Sequence, residues 1–478
     1  MKETCCMLVI FHNFAVQKAC FFMSTNTKFL ELGEKPIGQL LLKYATPAVI
    51  AMTASSIYNI VDAIFIGQGV GPLAIAGISL TFPVMQMTAA FGSMIGVGAS
   101  TLLSVKLSEK DYDTAKKILG NVVVLNVIMG IVLGVVMLCL IDPILYFFGA
   151  TDLTVSYARD FMKVILAGNV VTHLYFGLNA MLRASSHPRN AMMATIYTVC
   201  LNIVLCPLFI YFFHLGIEGA ALATMLSQTC VLVWQLKLFN NNDELLHFQR
   251  GIYKLRRRIV LASFGIGMSP FLINLTGCTV AIFMNKSLLL YGNDLDVASY
   301  GICNRFSFFF LMLVMGLTQG MQPIVGYNFG AGNTERVKAV LVRTIICATI
   351  VVSAGFVASL LFPYQIVGAF TTDSGLIKIS VHYIRILFIT YPVIGFQIVV
   401  TQFFQCIGVV KKSIFLSLSR QLIFLIPSLL ILPHYLGVDG VFWSIPVGDL
   451  AATFTTAILF VLQLRRFRRI KNNAGQMF

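Results

Sequence analysis

The sequence predicts an all-α integral membrane protein of twelve transmembrane helices in two six-helix repeats. Three observations carry this prediction. The 478 residues are 58% hydrophobic and 11% charged, whereas soluble domains run near 25% charged. Twelve apolar segments can be laid out, near 40–66, 73–103, 118–141, 154–182, 190–213, 217–238, 259–291, 296–326, 336–361, 376–405, 413–432 and 438–463. About 20 apolar residues cross a bilayer as a helix. The second half also echoes the first at a shift of 221 to 224 residues.

The first segment, Leu40 to Ile66, carries features that a passive anchor does not need. Pro47 removes a backbone donor and can kink the helix. Asp62 shares a strip with Ser55 and Tyr58, with Asn59 beside them, as helical spacing dictates. A carboxylate inside a bilayer costs about 3 kcal/mol on insertion scales, so it usually faces a wet cavity and marks an ion pathway. The plain alternative is an acid reaching the interface, since Ala63 to Gly67 add only about one more turn.

The connections then alternate in charge. Lys28, Lys35 and Lys43 precede or open segment 1, and Lys106, Lys110, Lys116 and Lys117 follow segment 2. Arg183 and Arg189 follow segment 4, and Lys237, Arg250, Lys254 and Arg256 to Arg258 follow segment 6. Arg336, Lys338 and Arg343 follow segment 8, Lys411 and Lys412 follow segment 10, and Arg465 to Lys471 form the tail. The intervening connections are nearly free of Lys and Arg. The positive-inside rule therefore places both termini in the cytoplasm. This distribution also gives the net charge of +15 an orienting role rather than a nucleic-acid partner.

The divisions follow. Residues 1–35 form a cytoplasmic N-terminal segment, with translation expected to start at Met23. Residues 36–238 form an N-lobe, 239–258 a cytoplasmic linker acting as hinge, 259–464 a C-lobe, and 465–478 a basic tail. The eleven Cys are scattered, with an adjacent Cys5–Cys6 pair and no CxxC or Cys/His spacing, so neither a disulfide framework nor a metal site is indicated.

The repeat brings Pro47 onto Pro270, Gly77-Ile78 onto Gly301-Ile302, and Asp152 onto Asp373. It also aligns LGIEG (Leu215 to Gly219) with LGVDG (Leu436 to Gly440), and the loop ending at Asp111 with that ending at Asn333. An even number of helices per half gives parallel repeats about an axis along the membrane normal, as in transporters that alternate access. Glu218 and Asp439 read as capping the helices that follow.

Segment 1 ending in IYNIVD, the run Gly316 to Asn333 and the LGIEG turn together resemble the multidrug and toxic compound extrusion (MATE) family. The likeness is to its MepA-like and DinF-like bacterial branch, within the multidrug/oligosaccharidyl-lipid/polysaccharide flippase superfamily. It spans about Pro36 to Leu464. The resemblance implies two lobes around a cleft, export of cationic or amphipathic compounds against inward H⁺ or Na⁺, and a bacterial inner-membrane location. It also implies an ion-linked network in the N-lobe: Asp62, Asn179 on segment 4, Asn202 on segment 5 and Thr224 on segment 6, with Tyr58 and Asn59 beside the acid. The family pattern Asn-x-x-x-Asp-Pro departs here, reading Asn202-Ile-Val-Leu-Cys206-Pro207, so a second acid is missing. The acids that NorM-like members carry on segments 7 and 10 are absent too.

By spacing, Asn202 and Cys206 line one helix face, as do Thr224 and Gln228. Such residues equally serve as interhelical glue, at about 0.6 kcal/mol each. A carboxylate that alternates between wet and dry surroundings can load and release a proton, and Asp62 is the candidate. With Cys206 in place of Asp, H⁺ is preferred to Na⁺, which favours several oxygen ligands. In the second lobe, Asn285 aligns with Asp62 and Asp449 aligns with Gln228. Asp449, Gln228, Asn285 and Arg305 are candidates for a substrate or second proton site. A salt bridge from Asp449 to Arg305 or Arg420 is the competing reading, and Arg305 is expected to be paired or near water. Met and Phe side chains such as Met312, Met315, Phe308 and Phe309 suit a pocket for varied flat cations.

The rival reading is a lipid-linked oligosaccharide flippase of the same superfamily, which would collect basic residues in its cavity. The prominent intramembrane groups here are acids, which favours a cationic cargo. No HExxH, GxSxG or nucleotide loop marks an enzyme, and no filter-like loop marks a channel. No cofactor is implied beyond the ion gradient, and one chain supplies both lobes, so a monomer is expected to suffice.

Overall fold

The computed structural model describes residues 31–70, 72–148, 154–241, 244–370 and 374–475. The expected start at Met23, the Cys5–Cys6 pair and the Asp152/Asp373 match lie outside them. In the N-lobe the helices are α1 (Ile37–Gly69), α2 (Pro72–Ser108), α3 (Tyr112–Cys139), α4 (Ile141–Phe147), α5 (Val155–Ala167), α6 (Asn169–Ala184), α7 (Pro188–Pro207) and α8 (Gly216–Phe239). The C-lobe holds α9 (Arg257–Tyr291), α10 (Asp294–Gly330), α11 (Thr334–Leu361), α12 (Pro363–Gly368), α13 (Ser374–Phe388), α14 (Tyr391–Cys406), α15 (Val410–Leu418), α16 (Ile426–Leu436) and α17 (Val438–Gly475).

Twelve spans result once two bent pairs are each taken as one. The pair α5/α6 bends by 57° and α13/α14 by 50°. These are the fourth and tenth segments, so the breaks occupy the same place in each half. At the first, a side chain on Gly168 would meet the flexible thioether of Met225, which packs from α8 against the corner. The fifth and eleventh spans each contain a π-helical stretch, Leu208–Phe212 and Ser419–Leu425. Such bulges are frequent at functional sites.

The repeat extends to single backbone angles. Asp111 caps α3 by accepting from the Thr114 amide at 3.1 Å, with φ −83° and ψ 72°. Asn333 caps α11 by accepting from the Arg336 amide at 3.3 Å, with φ −83° and ψ 73°. In the LGIEG and LGVDG turns, Gly216 and Gly437 have φ of +57° and +58°, a left-handed conformation glycine adopts without strain. The acids of those turns do not cap as expected. Among the described residues α8 has no side-chain cap hydrogen bond, so Glu218 only adds charge to the first turn. Asp439 instead meets His382 at 3.3 Å.

The lobes meet along crossed pairs, α2 against α9 and α1 against α10. A shift of 222 residues carries Gly98 onto Gly320 and Ala45 onto Gly267, and these four sit in equivalent contacts. A Cβ on Gly267 would overlap the Met94 carbonyl oxygen, and one on Gly320 would overlap Ala45. Hydrogen bonds fasten the seam: Gln322 donates to Ser100 at 2.7 Å and Thr101 at 2.8 Å, and Asn274 to Ser93 at 3.4 Å. All of these contacts fall on the half nearest the basic connections.

That basic face is tied further. Arg336 donates to Asn328 at 3.1 Å and to the carbonyls of Leu32 and Lys35 at 3.3 and 2.6 Å. The long connection, expected as a hinge, folds back on the N-lobe. Asn121 of α3 bonds the Lys254 carbonyl at 3.1 Å and the Arg256 amide at 2.9 Å, and Leu245 and Leu246 are buried.

Candidate functional site

Asp62 lies on α1 beyond Pro47, turned away from the seam and into the N-lobe. The seam face of α1 runs through Ala45 and Val49. At 100° per residue Asp62 points about 140° away from Val49. There it meets α7: the Cys206 thiol donates to Asp62 Oδ1 at 3.3 Å. One turn back, the Tyr58 hydroxyl and Thr224 Oγ1 of α8 lie 3.1 Å apart, and Asn202 Nδ2 donates to the same Thr224 oxygen at 3.0 Å. Thr224 also donates to the Ala220 carbonyl at 3.2 Å.

Five residues expected from the sequence therefore converge: Asp62, Tyr58, Asn202, Cys206 and Thr224. They do so because α7 turns its i,i+4 pair Asn202 and Cys206, and α8 its Thr224, toward α1, and because Cys206 and Asn202 are buried. The acid carries one neutral hydrogen-bond donor, and no cation is paired with it among the described residues. The side chain of Asn59 lies outside those residues.

Asn179 does not join them. It donates to the Ala191 carbonyl at 2.9 Å and accepts from Arg183 one turn along α6. A half-buried guanidinium needs acceptors, and Asn179 supplies one.

The MatE family model matches residues 47–208 and 261–430, once in each half. This chain belongs to the MatE family. The multidrug export protein MepA of Staphylococcus aureus (strain MSSA476) is 28% identical over 433 residues, covering 90% of this chain and 95% of MepA. The namesake from Staphylococcus haemolyticus is 28% identical over 439 residues, with the same coverage. A solved outward-facing multidrug resistance MATE family transporter superposes with a TM-score of 0.87 at 24% identity, over 92% of this chain and 98% of the other.

In the C-lobe of this MatE protein, Asp449 accepts from Arg420 Nε at 2.7 Å, its carboxylate 5% exposed. Of the two partners the sequence left open, Arg420 is the one used, and it sits on the π-helical stretch. Gln228, the repeat partner of Asp449, accepts from Thr172 at 2.7 Å. Asn285 and Arg305 are exposed, and neither is ion-paired among the described residues. Met94 and Met321 are buried in the seam region, while Phe308, Phe309 and Met315 are 41%, 43% and 38% exposed.

His173 on α6 escaped the sequence reading. It is buried beside Gly92 of α2, and neither ring nitrogen has a partner among the described residues. A histidine in an apolar segment was the available signal.

Proposed function

We propose that this MatE protein is a secondary transporter that exports amphipathic small molecules in exchange for inward H⁺, with Asp62 as the coupling group. The observation that carries the proposal is the Cys206–Asp62 hydrogen bond at 3.3 Å within the Tyr58–Thr224–Asn202 cluster. A thiol in place of a second carboxylate leaves too few oxygen ligands for Na⁺, whereas a lone acid can still take and release a proton. Two MepA relatives named as multidrug export proteins support the choice of cargo.

The basic connections and both termini face the cytoplasm of a bacterial inner membrane in this reading. The seam then closes the cytoplasmic half, and export requires it to part while the other half closes. Asn179 is left out of the coupling group because its polar atoms are engaged elsewhere. The flippase alternative calls for several cavity cations; the described faces that continue the seam outward carry one, Arg305.

The test is ethidium transport in proteoliposomes under an imposed pH or Na⁺ gradient, comparing wild type with Asp62→Asn. Transport driven by the pH gradient and lost in the variant supports proton coupling at Asp62. Transport that follows Na⁺ alone, or full activity in the variant, overturns it.

A further inference from the structure

Past the seam, α10 continues toward the far side of the membrane on the same face that packs against α1. Gly316 contacts Val49 there. Residues 305 and 316 are eleven apart, three helical turns with an offset of about 20°, and no proline intervenes. Arg305 therefore stands on the cleft wall, roughly 16 Å beyond the seam contact. It is exposed and has no ion pair among the described residues. A guanidinium so far from the helix end is costly against lipid and belongs in a wet cleft.

Its surroundings are those of a binding wall. Phe309, one turn on, is 43% exposed, and Met312 shares the face. Gly301, one turn before, and Gly277 on the neighbouring α9 have open space where a side chain would project. The seam faces continue through Ser56 on α1, Gln86 on α2, Cys278, Ala281 and Asn285 on α9. Among the described residues of these four faces Arg305 is the one charge. The two deep acids do not offset it: Asp62 is turned into the N-lobe against Cys206, and Asp449 is held by Arg420.

We propose that Arg305 is a cargo-binding residue that pairs with the carboxylate of an aromatic, amphipathic anion or zwitterion, whose ring lies against Phe309. Arg binds carboxylates through two parallel hydrogen bonds, and the open space at Gly301 and Gly277 admits the apolar body. This deepens the export reading and rests on it, but binding does not depend on the coupling ion.

The experiment is equilibrium dialysis of nanodisc-embedded protein, with empty nanodiscs as blank. The probes are 4-(1-pyrenyl)butyrate, the matching alcohol and the matching trimethylammonium. Wild type should prefer the carboxylate. Arg305→Gln should weaken carboxylate binding by about tenfold or more, leave the alcohol within about twofold, and strengthen binding of the cation. Arg305→Lys, which keeps the charge but not the two-pronged geometry, should bind the carboxylate at a level between wild type and Arg305→Gln. Retained alcohol binding shows that the Gln variant is folded. Equal loss of all three probes in Arg305→Gln, or no carboxylate preference in wild type, would overturn the assignment. Neither result touches proton coupling at Asp62, which the gradient experiment tests separately.

Discussion

The Cys206 thiol donates to Asp62 Oδ1 across 3.3 Å, joining the fifth span to the first. Because that donor is neutral, the acid's charge is set by the proton alone. Cys206→Ser keeps a donor and should keep pH-driven transport. Cys206→Asp places two carboxylates within reach of each other, with Asn202 and Thr224 close by to add oxygens. Like charges at that distance are relieved by a shared proton or by a bound cation, and the added oxygens favour the cation. Transport in that variant should become responsive to an imposed Na⁺ gradient, as read by ethidium flux in proteoliposomes. Unchanged ion dependence in Cys206→Asp would remove the argument that this position selects the ion.

The seam between α2 and α10 should be lockable. A Cβ on Gly326 would sit 2.9 Å from the Ser104 Cβ, and a separation of the two backbones by roughly 0.6–1 Å brings the pair into the range of disulfides. The double variant Gly326→Cys/Ser104→Cys should cross-link under oxidation and lose transport, with recovery on reduction. Transport that persists with the cross-link formed would mean the basic half need not part.

Asp111 and Asn333 occupy equivalent caps, and only one of them titrates. Hydrogen bonds with Thr114 hold the Asp111 carboxyl below the usual carboxylate range; slight burial opposes this, and Lys106 and Lys117 add to it. A lowered folded value means that the cap's ionic contribution is fully present above the ordinary pKa of about 3.9. It is lost as pH falls through the folded value. Asp111→Asn should keep the cap, lose only its ionic part at neutral pH and flatten the acid limb, whereas Asp111→Ala should cost about 1 kcal/mol. Thermal unfolding at neutral and acidic pH distinguishes the two.

What the sequence could and could not reveal follows from the range of the forces involved. Twelve spans and the repeat were legible because hydrophobic runs and charge alternation are local signals. The grouping of Asp62 with Asn202 and Thr224 came from the family resemblance, and i,i+4 spacing added only that Cys206 shares a helix face with Asn202. The caps at Asp111 and Asn333 were visible as matched loops. The bends within the fourth and tenth spans were not, because each breaks an otherwise continuous apolar run. The seam contacts of Gly98 and Gly267 are non-local. Asn179 was misplaced for the opposite reason: a partner four residues away, Arg183, outcompeted a distant cluster. The orientation of Asp62 depends on which face of α1 meets α10. The expectation of cationic cargo rested on the intramembrane acids Asp62 and Asp449, whose partners, Cys206 and Arg420, could not be read from the sequence.

Arg420 and Asp449 make the most buried ion pair among the described residues of the C-lobe, with the carboxylate 5% and the guanidinium 26% exposed. The second carboxylate oxygen, Oδ2, is buried without a partner among the described residues. Removing one member leaves an uncompensated charge, so Arg420→Met should destabilise the protein on the order of 3 kcal/mol. Replacing both, as Arg420→Met/Asp449→Leu, removes the desolvation cost along with the attraction and should restore most of that loss. If the pair only fastens α17 to the π-helical stretch, the double variant also transports. A double variant that regains its thermal stability yet fails to transport would instead place Asp449 in the transport cycle as a second proton or cargo site.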